Sequence, residues 1–124
     1  MKVISFLNFK GGVGKTTSAH SIAAGLKMKG KKVLVIDMDP QGTLTFFSKG
    51  ERELNGDTRE ILFHEKTIGE AITNGEEFDF IGSNIKLATS ELLLNNGYNK
   101  EQKLKKAIDK MAKEYVYDFI LDRK

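Results

Sequence analysis

The run Lys10-Gly11-Gly12-Val13-Gly14-Lys15-Thr16-Thr17 places three glycines, two lysines and two threonines in eight residues, the ingredients of a phosphate cradle. Glycines let successive backbone N–H groups turn inward with no Cβ in the way, and those groups converge on phosphate oxygens. Lys15 then reaches the terminal phosphates, and the Thr16 hydroxyl supplies an oxygen ligand for Mg²⁺. The apolar stretch Val3–Phe9 precedes the run and a helical periodicity follows it. This strand–loop–helix context separates a P-loop from a glycine-rich turn with solvated lysines. A helix beginning near Lys15 adds the positive end of its dipole, equivalent to roughly half a charge. The strict spacing G-x-x-x-x-G-K-[ST] would put glycine at position 9, where Phe9 stands; instead a second lysine, Lys10, sits on the outer lip. Lys10 is badly placed for the phosphates of its own site and well placed for a nucleotide held by a facing subunit.

A second group of residues could do chemistry beside that cradle. Asp37 and Asp39 lie two apart at the end of the apolar run Val33–Ile36, so within a strand they share a face. The turn that follows lets Asp39 face a nucleotide. Read without the cradle, the pair is a turn with capping carboxylates. His20 and His64 have no partner at metal-ligand spacing and read as packing or surface residues. The lysines at 100, 103, 105, 106, 110 and 113 surround the polar side of an amphipathic helix, a solvated face rather than a nucleic-acid patch.

These residues need a scaffold, and the hydrophobic pattern supplies one. Ala19, Ile22, Ala23 and Leu26 recur at i, i+3, i+4 and i+7 after the cradle, and Gly30 stops that helix. Val33–Ile36 is continuously apolar, as a strand covered on both faces should be. Short helices are expected over Asp57–Phe63 and Thr67–Thr73, with Asp57 and Thr67 as N-caps. A short strand is expected over Phe78–Ile81 and a helical turn over Ser90–Asn95. Leu104, Ala107, Ile108, Met111, Ala112 and Tyr115 mark a long amphipathic helix, and Val116–Leu121 a last strand. Strands separated by helices of this length predict an α/β fold: a parallel sheet with right-handed crossovers and helices on both faces.

Composition narrows the classes. The 124 residues suit one domain, 1–124, with a single proline, no linker and no repeat. With no cysteine, disulfide frameworks, thiolate metal sites and iron–sulfur clusters are excluded. No apolar run approaches the ~20 residues of a membrane span, and Met1–Phe9, which leads straight into the loop, is too short to be expected as a signal peptide. A net charge of +3 is too weak by itself to argue for nucleic acid.

Four stretches together resemble the ParA/Soj-type partition ATPases, the deviant-Walker-A group of P-loop NTPases that also contains MinD. Lys10–Thr17 is similar to that group's signature loop. Val33–Gly42 is similar to its D-x-D-P-Q-G segment, and Ile81–Ala88 to its I-P-S-N-I-x-L-A segment, with Gly82 in place of proline. Tyr117–Asp122 resembles the strand carrying the Walker B aspartate. The likeness spans the chain, more weakly from about Phe47 to Glu77.

The resemblance implies ATP and Mg²⁺ as cofactors, with Gly11, Gly12, Val13, Gly14, Lys15, Thr16 and Thr17 holding the nucleotide. It implies that Lys10, Lys15 and Asp39 are catalytic, Asp39 positioning the attacking water, and that Thr16, Asp37 and Asp122 serve the metal. It further implies ATP-dependent dimerisation, hydrolysis stimulated by a ParB-like centromere-binding protein, non-specific DNA binding, and a cytoplasmic, nucleoid-associated role in plasmid or chromosome partitioning. Members of the group run to about twice this length and continue past the Walker B strand. The sequence is therefore expected to represent their N-terminal half, near-inactive as an isolated ATPase and prone to self-association through an uncovered Val3–Phe9 edge, with no membrane attachment. Two alternatives stay open: a non-catalytic remnant or regulatory module that keeps phosphate binding, and, more distantly, a MinD-like cell-division ATPase.

Overall fold

Among the described residues, five strands form one sheet in the order β1-β5-β2-β4-β3. A computed structural model of the chain describes residues 2–6, 13–38, 45, 53–63, 65–75, 78–83, 97–111 and 117–123. The elements are β1 (Lys2–Phe6), α1 (Val13–Met28), β2 (Val33–Asp37), α2 (Thr58–Leu62), α3 (Ile68–Ala71), β3 (Thr73–Asn74), β4 (Asp79–Ile81), α4 (Gly97–Met111) and β5 (Phe119–Arg123). The helical turn expected over Ser90–Asn95 lies outside the described residues, as do Ala112 and Tyr115.

Strands β1, β5, β2 and β4 run parallel. Parallel neighbours need crossover connections, and α1 and α4 provide them on opposite faces. Alternation along the strands sorts the core accordingly. Val33, Val35, Phe80 and Leu121 pack with Ala19 and Ala23 of α1. Leu34, Ile36, Ile81 and Ile120 pack with Ile61, Leu62, Ile68, Leu104, Ile108 and Met111 from α2, α3 and α4. Strand β2 is buried at every position, which is why its sequence reads as an unbroken apolar run.

Three details differ from the pattern read in the sequence. Thr73 belongs to β3, which pairs antiparallel with β4, and the helix before it ends at Ala71. The hairpin is closed by the Gly75 N–H donating to the Phe78 carbonyl at 3.2 Å. Helix α1 starts at Val13, ahead of Lys15. Its inward stripe is also narrower than the spacing implies: α1 lies over β2 and β5 through the small side chains Ala19 and Ala23, and Ile22 is 43% exposed. That placement leaves β1 uncovered at the edge of the described sheet, with Val3 49% and Ile4 37% exposed.

Both short helices carry the caps their sequences announce. Asp57 accepts from the Glu60 N–H while Glu60 Oε1 accepts from the Asp57 N–H, and Thr67 and Glu70 repeat the reciprocal pair. At the other end of α1, Gly30 adopts φ +79° while its N–H bonds the Lys27 carbonyl and the Lys31 N–H bonds the Leu26 carbonyl. This double closure needs a left-handed residue, which glycine supplies without strain.

The Thr67 backbone N–H, and then its hydroxyl, hold the Glu70 carboxyl below its ordinary value, with a smaller contribution from Lys66. A lowered folded-state pKa contributes stability that is present above the unfolded value and disappears as pH falls through the folded one. Denaturant titrations from pH 6 down to pH 3 should therefore show a shallower loss of stability for Glu70→Gln than for the unmodified chain.

Candidate functional site

The ends of three parallel strands build the site. Phe6 of β1, Arg123 of β5 and Asp37 of β2 form one row across the sheet, so the C-terminal ends of these strands make a common rim. The chain leaves that rim after Phe6 and enters α1 at Val13; because β1 and β2 are parallel, α1 must run back from the rim, with its N-terminal end there. Val13, Gly14, Lys15, Thr16 and Thr17 thus form the first turns of α1, whose unpaired N–H groups and dipole favour an anion at this end. Lys10, Gly11, Gly12 and Asp39 lie outside the described residues.

Two carboxylates of the expected set stand at the rim, and both are buried: Asp37 at 2% and Asp122 at 4% exposure. Asp37 has the parity of Val33 and Val35, on the α1 face. Asp122 has the parity of Ile120, on the face of α2, α3 and α4, and lies in register between Ser5 and Ile36. The two therefore belong to opposite faces of the sheet rather than to a paired site on one face. Among the described residues, no three His, Cys, Asp or Glu side chains gather around a metal position. This donor chemistry fits Mg²⁺, which takes one or two carboxylates and completes its shell with water and phosphate oxygens.

The environment of Asp37 is specific. Its Oδ2 accepts from the Thr45 hydroxyl at 2.6 Å and from the Thr45 backbone N–H at 3.1 Å. Thr45 Oγ1 in turn accepts from the Ser83 backbone N–H at 2.9 Å, just past the end of β4. The backbone carbonyl of Asp37 accepts from the Thr58 hydroxyl at 2.6 Å. The Thr58 N–H donates to the Gly82 carbonyl at 2.8 Å, and that carbonyl also lies 3.1 Å from Thr58 Oγ1, whose one proton the shorter bond to Asp37 uses. The end of β2, Thr45, the end of β4 and the start of α2 are thereby joined by buried hydrogen bonds. Gly82 is part of the fit: a Cβ there would come within 2.8 Å of Thr45 Cγ2 and Leu54 Cδ1.

Nothing in the local sequence marks Thr45 or Thr58, and Gly82 and Ser83 stand out only within the segment Ile81–Ala88. Their partners are 8 to 38 residues away, so no local spacing marks them. His20 packs its ring edge-on against Phe78 at 5.3 Å, as a core-facing residue.

The family described as AAA domain matches residues 1–122. The chain belongs to that family. Its relatives include the sporulation initiation inhibitor protein Soj of Bacillus subtilis, 35% identical over 96% of this chain and 48% of Soj. The chromosome partitioning protein ParA of Myxococcus xanthus is 33% identical over 96% of this chain and 43% of that protein. Among solved structures, cobyrinic acid a,c-diamide synthase from Mycobacterium smegmatis, with bound ATP analog and magnesium, superposes with a TM-score of 0.85 at 33% identity. That match covers 98% of this chain and 50% of the synthase. A plasmid partition protein from Borrelia burgdorferi gives a TM-score of 0.81 at 32% identity, over 99% of this chain and 55% of that one. The chain is thus a ParA/Soj homologue with the P-loop fold of that group, and it spans about half the length of the relatives it matches. No helix among the described residues is long and apolar enough to cross a membrane.

Thr58→Val tests the joint at the rim. It removes a hydroxyl from a residue with no exposed surface and leaves the Asp37 carbonyl short of a donor, at a cost of about 1–3 kcal/mol. Urea unfolding should register that loss, whereas Lys105→Ala, on the exposed face of α4, should change stability by less than about 0.5 kcal/mol.

Proposed function

We propose that this chain is the nucleotide-binding portion of a ParA-type partition ATPase, binding ATP or ADP with Mg²⁺ at the rim of β1, β5 and β2. The observation that carries the reading is the arrangement of that rim: the N-terminal end of α1 and two buried carboxylates where the glycine-rich run returns to the fold. The complex of the Mycobacterium smegmatis synthase with an ATP analog and magnesium supports it, as does a Borrelia burgdorferi partition protein bound to AMPPNP, with a TM-score of 0.79.

In this reading Gly11–Thr17 cradle the phosphates through backbone N–H groups, and Lys15 neutralises their charge. Mg²⁺, when bound, supplies further charge neutralisation on the phosphate oxygens. Thr16 would offer it a hydroxyl, while Asp37 and Asp122 would act on it through water. Asp39 orients the attacking water, and Lys10 reaches across to the nucleotide of a facing subunit. Positioning and electrostatics suffice in kind for phosphoryl transfer. Dimerisation on ATP, stimulation by a ParB-like protein, non-specific DNA binding and a cytoplasmic role in plasmid or chromosome segregation belong to the same proposal for the whole protein.

Calorimetric titration with Mg²⁺–ADP tests the core of the reading. Binding is expected, and Lys15→Ala should weaken it by about 1.5–3 kcal/mol, the worth of a hydrogen bond to a charged group. An absence of binding by the unmodified chain would refute it. The uncovered β1 edge, with Val3 and Ile4 exposed, further supports self-association of the 124-residue chain through that edge. Light scattering at tens of micromolar should show species larger than a monomer, reduced by Ile4→Lys; a strict monomer would count against it.

A further inference from the structure

In the buried network at the rim, Thr45 touches both the Asp37 carboxylate and the backbone just past the end of β4. Thr45 Oγ1 donates to Asp37 Oδ2 at 2.6 Å and accepts from the Ser83 N–H at 2.9 Å. A hydroxyl has one proton to give and lone pairs to accept with, so the two contacts are compatible and fix its rotor. The 2.6 Å separation is a close hydroxyl–oxygen hydrogen bond. The Thr45 backbone N–H donates to the same oxygen at 3.1 Å, so one residue clasps one carboxylate oxygen twice. Its methyl group, meanwhile, packs in the space left by the missing side chain of Gly82. Thr45 is 5% exposed, so water does not replace these contacts.

We propose that Thr45 is a positioning residue for Mg²⁺–nucleotide binding: it holds the Asp37 carboxylate in one orientation and ties that orientation to the backbone at the end of β4. This inference rests on the nucleotide-binding reading above. Residues that orient a ligand-bearing carboxylate alter the affinity of the site for metal without touching metal themselves.

The test is a Mg²⁺ titration of ADP binding, followed by calorimetry, for Thr45→Val and Thr45→Ser, with binding in EDTA measured alongside. Thr45→Val keeps the shape and removes the hydroxyl; it should raise the Mg²⁺ concentration at half-saturation about five- to tenfold while affinity in EDTA is unchanged. Thr45→Ser keeps the hydroxyl and should stay within about twofold of the unmodified chain. If the valine variant does not fold, Thr45→Ala takes its place with the same expectation. An unchanged Mg²⁺ requirement, or an equal loss with and without Mg²⁺, overturns the inference. Amide exchange at Ser83 separates this result from a failure of the functional reading. If the unmodified chain binds no nucleotide, that reading falls, and a Ser83 amide as protected in Thr45→Val as in Thr45→Ser overturns the link as well. Protection lost about tenfold only in Thr45→Val sustains the link.

Discussion

The register of β5 against both β1 and β2 is the constraint on which the rim depends. Both neighbours are parallel to it, and its central residues Ile120 and Leu121 are completely buried, one in each core layer. In a strand exposed on one face, alternation sets the register, because a one-residue slip would bury polar side chains. Strand β5 is apolar on both faces at its centre, so exchanging Ile120 for Leu121 would be a weak penalty. What resists the slip is polar and lies at the far end. Asp118 accepts the Lys32 N–H on its carboxylate at 2.8 Å, gives its own N–H to the Lys32 carbonyl at 2.9 Å, and takes the Lys2 N–H on its carbonyl at 3.1 Å. These bonds align the starts of β1, β2 and β5, and with strands of equal length the alignment carries to Phe6, Asp37 and Arg123. The site at one end of the sheet is set by hydrogen bonds at the other.

The rim answers to a second requirement, that a carboxylate withdrawn from water keeps its partners. Asp37 meets it through Thr45, and its backbone carbonyl meets it through Thr58. Both threonines come from outside the sheet, so the polar ends of β2 and β4 are satisfied by the segments that cover them. This arrangement makes stability and site geometry hard to separate at this position. The Thr45 hydroxyl that keeps this buried carboxylate partnered also constrains where it points.

Much of this was legible from residue order. The N-caps Asp57 and Thr67, the apolar β2 and the helix carrying Leu104, Ile108 and Met111 are local signals, and local signals survive in a single sequence. The strand β3 was not legible, because two residues carry no period; Thr73 reads as easily as the last turn of a helix as the start of a hairpin. Ile22 misled for a related reason. Its spacing fits an inward stripe, but alanines bring α1 close to β2 and β5 and leave Ile22 on the flank. The Thr45–Asp37–Ser83 connection and the opposite parities of Asp37 and Asp122 depend on which strands neighbour which. That information is absent from any window of residues.

The position of β5 between β1 and β2 also has a consequence for biosynthesis. A chain emerging from the ribosome presents β1, α1 and β2 early, yet their shared central strand is made only when residues 119–123 appear. Until then β1 and β2 each carry an unpaired edge of backbone donors and acceptors, and direct pairing of the two would close the slot β5 must enter. Sequence-distant parallel pairing of this kind is intrinsically slow, since loop closure precedes the contacts that reward it. The nascent chain therefore passes through a window of exposed strand edges, the stage at which a chaperone would have most to protect.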